Sequence, residues 1–192
     1  MKTKPSIFGI SLSAAVFVAV VLPFVSWILS AVGLPVGSLL SDDGLRWLFI
    51  HMPEQFANYY VIVSVMAISA YASLEYVHWG ETESIYRTPL VVCFVLALFM
   101  DVLLLLAAFH PHSPLISLTG RLNPSPFLHG LPFVLCFGLM FVAYVYGVLT
   151  HRITSVSTFR AFLSSGFERY GALMVLSMLL SFIFFCIRYT FF

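Results

Sequence analysis

The stretch SLLSDDGLRWLFIHMPEQFANYY, Ser38 to Tyr60, lies between two of the most apolar runs of the chain, VFVAVVLPFVSWIL before it and YVIVSVMAISAY overlapping its end. It gathers an aspartate pair, an arginine, a histidine, a glutamate and a proline. Ser41 has the chemistry of a helix N-cap, Asp42 and Asp43 suit the positive end of the helix dipole, and Pro53 predicts a stop. Leu45, Leu48, Phe49 and Met52 recur at helical spacing, and Asp42 can pair with Arg46 one turn on. A helix over 42–52 is too short to cross a bilayer, which takes ~20 apolar residues. The pattern therefore predicts an amphipathic helix lying along the outer interface.

Composition supports that setting. Of 192 residues, 61% are hydrophobic and only 9% charged, whereas soluble domains carry roughly 25% charged residues. With a mean hydropathy of +1.02, the chain reads as an all-α integral membrane protein of one domain, 1–192, with the lipid bilayer as its first partner. A net charge of +1 lacks the basic footprint of nucleic-acid binding. Cys93, Cys136 and Cys186 sit inside apolar runs and read as small hydrophobes, not as a disulfide or metal framework. No glycine-rich phosphate loop, nucleophile–histidine–acid arrangement or zinc-protease motif is present, so neither enzyme chemistry nor a cofactor is expected.

Five runs meet the length test for spanning helices, at about 8–32, 59–79, 89–109, 127–149 and 170–190. They are continuously apolar, which excludes a closed barrel. The first follows Lys2 and Lys4 as a signal peptide would, but it exceeds a signal's apolar core of ~7–15 residues and reads as a retained span. Pro23 and Pro132 predict bends, and Ser125 with Pro126 predicts a helix start. A second amphipathic segment over 156–168 places Phe159, Phe162, Leu163 and Phe167 on one face, as a cytoplasmic connector. Lys2, Lys4, Arg87, Arg152, Arg160 and Arg169 fall on one side, against Arg46, Arg121 and Arg188 on the other. That bias predicts a cytoplasmic N-terminus and an outer C-terminus.

Within the spans, Asp101 is the sharpest feature. An ionisable group near the middle of a span costs ~2.5–3.5 kcal/mol on insertion scales unless it is sheltered. It is either an ion-coupling group or a carboxyl that is protonated or bonded to a hydroxyl or amide of a neighbouring helix. Glu75, at the cytoplasmic end of the second span among Ser64, Ser69, Ser73 and Tyr71, reads as a solvated end residue. The serines suit close helix packing more than substrate binding. His110 and His112, with His51 and His129, fall on the outer side. They form at most part of a metal sphere, so interfacial histidines are the simpler reading.

Two stretches resemble the aminobenzoyl-glutamate transporter (AbgT) family of bacterial inner-membrane proteins. The first is the opening segment, with Ser38, Leu39, Leu40, Gly44, Leu45, Arg46, Trp47 and Leu48 at the family's S-L-L-x-x-x-G-[LI]-R-W-[ML] positions. The second is HPHSPLISLTGRLNPSPFLHGLPFVLCFGLMFVAYVYG, similar through Pro111, Ser113, Pro114, Leu115, Ser125, Pro126, Phe127, Tyr146 and Gly147. The resemblance implies a strongly shortened member. The family's two re-entrant hairpins and polar substrate segments have no counterpart here, so no substrate or sodium ligand carries over. What remains is similar to the family's scaffold side, which mediates dimerisation. The implied role is transport of p-aminobenzoyl-glutamate-like or related small solutes with further copies or a second membrane subunit. The other reading is a non-transporting scaffold or accessory subunit.

Overall fold

A computed structural model describes residues 7–79, 87–109 and 126–191, and all regular structure among them is helical. The order is α1 (Ile7–Ala31), α2 (Asp42–Phe56), α3 (Tyr59–Tyr76), α4 (Arg87–Phe109), α5 (Pro126–Leu149) and α6 (Val156–Phe191). Among the described residues, five helices are long and apolar enough to cross a membrane: Gly9–Ala31, one within Asp42–Tyr76, Thr88–Leu106, Phe127–Leu149 and Val156–Phe191. Pro126 is the first residue of α5, while Ser125 lies outside the described residues.

Two helix boundaries differ from those the sequence predicts. α2 does not stop at Pro53 but runs through it to Phe56. The terminating signal lies five residues on, where Asn58 Oδ1 accepts the Val61 amide at 3.0 Å and starts α3 instead. The segment 156–168 and the span 170–190 are one unbroken helix of 36 residues. Gly171 lies inside it. At ~1.5 Å per residue α6 is ~54 Å long, well beyond a hydrocarbon core of ~30 Å.

The chain packs as two compact units. One comprises α1, α2, α3 through Val65 and α6 from Tyr170. Here α1 ends on Gly33 at φ +87°, with the Gly33 amide on the Ser30 carbonyl at 3.0 Å and the Leu34 amide on the Leu29 carbonyl at 3.3 Å. This crossed pair of bonds satisfies carbonyls that the helix end leaves open. The following turn is held from two sides. Leu39 donates its amide to the buried Ser26 Oγ at 3.0 Å, and Gly37 donates to the Thr190 carbonyl at 2.9 Å. Ser41 then caps α2, its hydroxyl oxygen accepting the Gly44 amide at 3.1 Å. Gly44 is pressed onto the Ser38–Leu39 backbone so closely that a Cβ there would overlap the Ser38 carbonyl oxygen and meet the Leu39 Cα at 2.8 Å.

α2 packs in an order opposite to a water-soluble helix. Its inward stripe is Gly44, Trp47, His51 and Gln55, with Gly44 and Gln55 buried. Leu45, Phe49, Ile50 and Met52 face outward, Phe49 at 71% exposure. Trp47 stacks on Tyr189 at 4.3 Å between centroids, and Phe56 stacks on Phe182 at 5.1 Å. Asn58 donates to Ser181 Oγ, and that hydroxyl donates to the Gln55 carbonyl at 2.7 Å. Arg46 is exposed and forms no ion pair with Asp42 among the described residues.

The second unit comprises Met66–Arg169. Its core joins Val77, Cys93, Val142, Ala143, Tyr146, Ile153 and Phe162. Gly147 permits this closeness, because a Cβ there would meet Ile153 Cδ1 at 2.6 Å and Val77 Cγ1 at 2.9 Å. Both α3 and α5 end with the same crossed hydrogen bonds as α1, but with histidine in the left-handed position, His78 at φ 50° and His151 at φ 56°. The bonds run from the Trp79 amide to the Leu74 carbonyl at 3.1 Å, and from the Arg152 amide to the Gly147 carbonyl at 2.9 Å.

Gly44→Ala is expected to destabilise the protein by ~1–3 kcal/mol, the usual cost of forcing atoms into a filled site. Gly171, where an added Cβ meets nothing within 4 Å, makes the internal control. Gly171→Ala should be neutral or stabilising by up to ~1 kcal/mol through helix propensity. Denaturant unfolding in detergent micelles measures both, and equal effects would contradict the close approach at Gly44.

Candidate functional site

Asp101 lies in the C-terminal half of α4 and is exposed. Its carboxyl borders a shallow notch of about 220 Å³ between α4 and α5, lined among others by Ala97, Leu104, Leu135, Gly138 and Val142. An added Cβ on Gly138 meets nothing within 4 Å, so the notch is open on that side. No hydrogen bond or ion pair holds Asp101 among the described residues, and no hydroxyl or amide from a neighbouring helix reaches it. The notch therefore presents one carboxyl in a wall of apolar side chains, where Phe94, Leu98, Val102 and Leu105 are also outward-facing. Such a group can receive a hydrogen-bond donor or a cation brought by something else.

A second polar site gathers at the end of α3. Glu75 Oε1 meets Arg169 Nη1 at 2.7 Å, with side-chain exposures of 37% for the glutamate and 59% for the arginine. Their groove encloses about 870 Å³ and is shared by His78, Arg152, Ser165 and Glu168. Glu168 also accepts a hydrogen bond from Ser164 Oγ at 2.6 Å. Two arginines and two glutamates keep the groove balanced in charge, so it holds no strong field of one sign. Glu75 is thus an ion-paired residue, not merely a solvated end. Its partner was not legible in the sequence, where nothing marks Arg169 as a neighbour of Glu75.

Several of the positions that carry the family resemblance take part in packing. Gly44 and Gly147 are sites of close approach, Tyr146 is fully buried with its ring tilted against Trp79 at 4.9 Å between centroids, and Trp47 stacks on Tyr189. Phe127 is half-buried on the first turn of α5. Pro111, Ser113, Pro114 and Leu115 lie outside the described residues, as do His110, His112, Arg121 and the arginine side chain at position 87. Among the described residues, no three histidine, cysteine or acidic side chains gather as a metal site. Ser64 and Ser73 turn their hydroxyls onto the carbonyls of Tyr60 and Ser69 of their own helix, both at 2.8 Å.

Comparison with protein-family models, with curated proteins and with solved structures finds no match to this chain.

For the Glu75–Arg169 pair, a double-mutant cycle with Glu75→Gln and Arg169→Gln should give a coupling below ~1 kcal/mol that shrinks as salt is added, since both groups are solvent-accessible. A coupling that salt leaves unchanged would mean the pair is shielded from solvent in the working protein.

Proposed function

We propose that this chain is a multi-pass protein of the bacterial inner membrane that serves as the scaffold part of a larger transport assembly. Its N-terminus is cytoplasmic and its C-terminus outside. α2 rests on the outer interface, and the first turns of α6 stand in the cytoplasm. The observation that carries this reading is the direction in which side chains face. Small or polar residues such as Ser26, Gln55, Ser73 and Thr190 are buried, while Phe17, Phe24, Phe94, Phe137 and Phe184 are each more than half exposed. Exposed apolar area on this scale costs roughly 25 cal/mol per Å² in water. In hydrocarbon it costs nothing, and large outward side chains over small, close-packed interiors are what membrane helices favour.

The resemblance to aminobenzoyl-glutamate transporters supplies the proposed assembly, which moves p-aminobenzoyl-glutamate-like or related small solutes together with other copies or a second subunit. Scaffolding without transport by this chain alone is favoured by two observations. Transporter sites are built from interrupted helices whose free ends hold substrate near mid-membrane, and α1, α4 and α5 run unbroken, even through Pro23 and Pro132. Three of the resembling residues, Gly44, Tyr146 and Gly147, are also accounted for by packing. Asp101 fits this role as an assembly group. On an apolar face its carboxyl is costly until another polypeptide donates to it, and interhelical hydrogen bonds of this kind contribute ~1–2 kcal/mol.

The purified chain in proteoliposomes should give no sodium- or proton-dependent uptake of p-aminobenzoyl-glutamate. Flux by the chain alone would overturn the scaffold role. Asp101→Leu is expected to weaken assembly, read by energy transfer between labelled chains or with a co-purifying subunit, by about tenfold. Asp101→Asn, which still hydrogen-bonds, should keep most of it. If Asp101→Leu assembles as the native chain does, Asp101 is not the assembly group. Changed ion dependence of transport by the complete assembly would return it to ion coupling.

A further inference from the structure

Gln55 is the most anomalous side chain in the α1–α2 unit. It is fully buried at 0% exposure, yet neither its Nε2 nor its Oε1 has a hydrogen-bond partner. A buried amide with both ends unmet loses its hydration with nothing in return, so native proteins seldom leave one that way. Gln55 does not stand alone. It lines a groove of about 620 Å³ together with Trp47, His51, Glu54, Phe185 and Arg188. Glu54 and Arg188 are both exposed, and they form no ion pair with each other among the described residues. The groove therefore carries an anion and a cation that form no ion pair with one another among the described residues, together with an amide that can both donate and accept.

The donors and acceptors sort by chemistry. Arg188 and Gln55 Nε2 donate. The Glu54 carboxylate and Gln55 Oε1 accept. His51 places Nδ1 on the Trp47 carbonyl at 3.0 Å, and a carbonyl only accepts, so Nδ1 donates there and Nε2 of the neutral ring is left as a third acceptor. Three acceptors match the three N–H bonds of a primary ammonium. A guanidinium with an amide donor beside it matches a phosphate. A trapped water would satisfy Gln55, but it would use neither of the opposite charges that line the same groove.

We propose that this groove binds a phosphoethanolamine group, its phosphate on Arg188 and Gln55 Nε2 and its primary ammonium on Glu54, Gln55 Oε1 and His51. The group has two sources, the headgroup of phosphatidylethanolamine or free phosphoethanolamine. The lipid source rests on the membrane reading given above. In that setting Trp47 and Tyr189 stand where aromatic side chains line membrane interfaces, at headgroup depth. A quaternary choline is the obvious competitor, because aromatic walls attract it. It has no N–H to offer Gln55 Oε1, and Trp47 already stacks on Tyr189 at 4.3 Å and on His51 at 5.3 Å.

The test uses the full chain in uncharged detergent, with lipid binding read by native mass spectrometry and by the unfolding midpoint as lipid is titrated. Phosphatidylethanolamine should bind at least about tenfold more tightly than phosphatidylcholine or phosphatidylglycerol, the discrimination expected of a charged hydrogen bond made or lost. Glu54→Gln and Arg188→Gln, both at exposed positions, should each erase that preference without lowering the unfolding midpoint of the lipid-free chain. Equal binding of the three lipids overturns the proposal, as does a preference that survives both substitutions. Free O-phosphoethanolamine is the second arm. Its competition with the lipid confirms that the headgroup is what is recognised. Binding of the free compound with none of the lipid keeps the site, and instead counts against the membrane placement of α2.

Discussion

The α1–α2 unit depends on one steric fact, the absence of a side chain at Gly44. The first turn of α2 lies directly on the Ser38–Leu39 backbone, and any Cβ would collide with it. That contact sets where α2 begins and lets Ser41 reach its cap. The same turn is bonded to Ser26 of α1 through Leu39 and to Thr190 of α6 through Gly37, so three helices are registered through the irregular chain ahead of α2. The Gly37 and Leu39 amides find a carbonyl and a hydroxyl oxygen instead of water, which is what the buried step at Ser38 and Leu39 requires. A turn tied in this way costs much conformational entropy. It returns that cost by fixing the face α2 presents.

That face is the second half of the account. Helical periodicity identifies a stripe of apolar residues on α2, but periodicity cannot say which solvent the stripe meets. In water Leu45, Phe49 and Met52 would turn inward; here they point out, and the inward stripe is glycine, two aromatic rings and an amide. The same inversion recurs along α4, where outward phenylalanine and leucine side chains surround a single aspartate. Gln55 and Asp101, polar side chains without partners among the described residues, are conspicuous for that reason. In a chain with so few charges, each polar group not spent on folding is a place where something else can bind.

How much of this was legible beforehand follows from the range of each interaction. Helix existence is a matter of local hydropathy, so the apolar runs found their helices. The Ser41 cap lies three residues from the amide it receives, and it too was readable. Pro53 misled, because a proline costs a helix one hydrogen bond but does not oblige it to end, and Asn58 supplies the stronger signal by capping α3 while reaching Ser181. That partner lies 123 residues away and leaves no local trace. The Glu75–Arg169 pair was hidden for the same reason. So was the groove at Gln55, whose members come from two distant segments and whose only marker is the lack of a partner. The separation of 156–168 from 170–190 has a different origin, since a change from amphipathic to continuously apolar character alters what a helix faces but does not oblige its backbone to break.

His78 and His151 have a consequence of another sort. Both occupy a backbone conformation that glycine adopts freely and that other residues enter at a cost of roughly 1–2 kcal/mol, at the two helix ends whose counterpart on α1 uses Gly33. The protein thus spends conformational energy twice at places where the cheapest residue is available. This amounts to a reserve that an engineer could draw on, by installing glycine at either end, to offset the burden of destabilising changes made elsewhere.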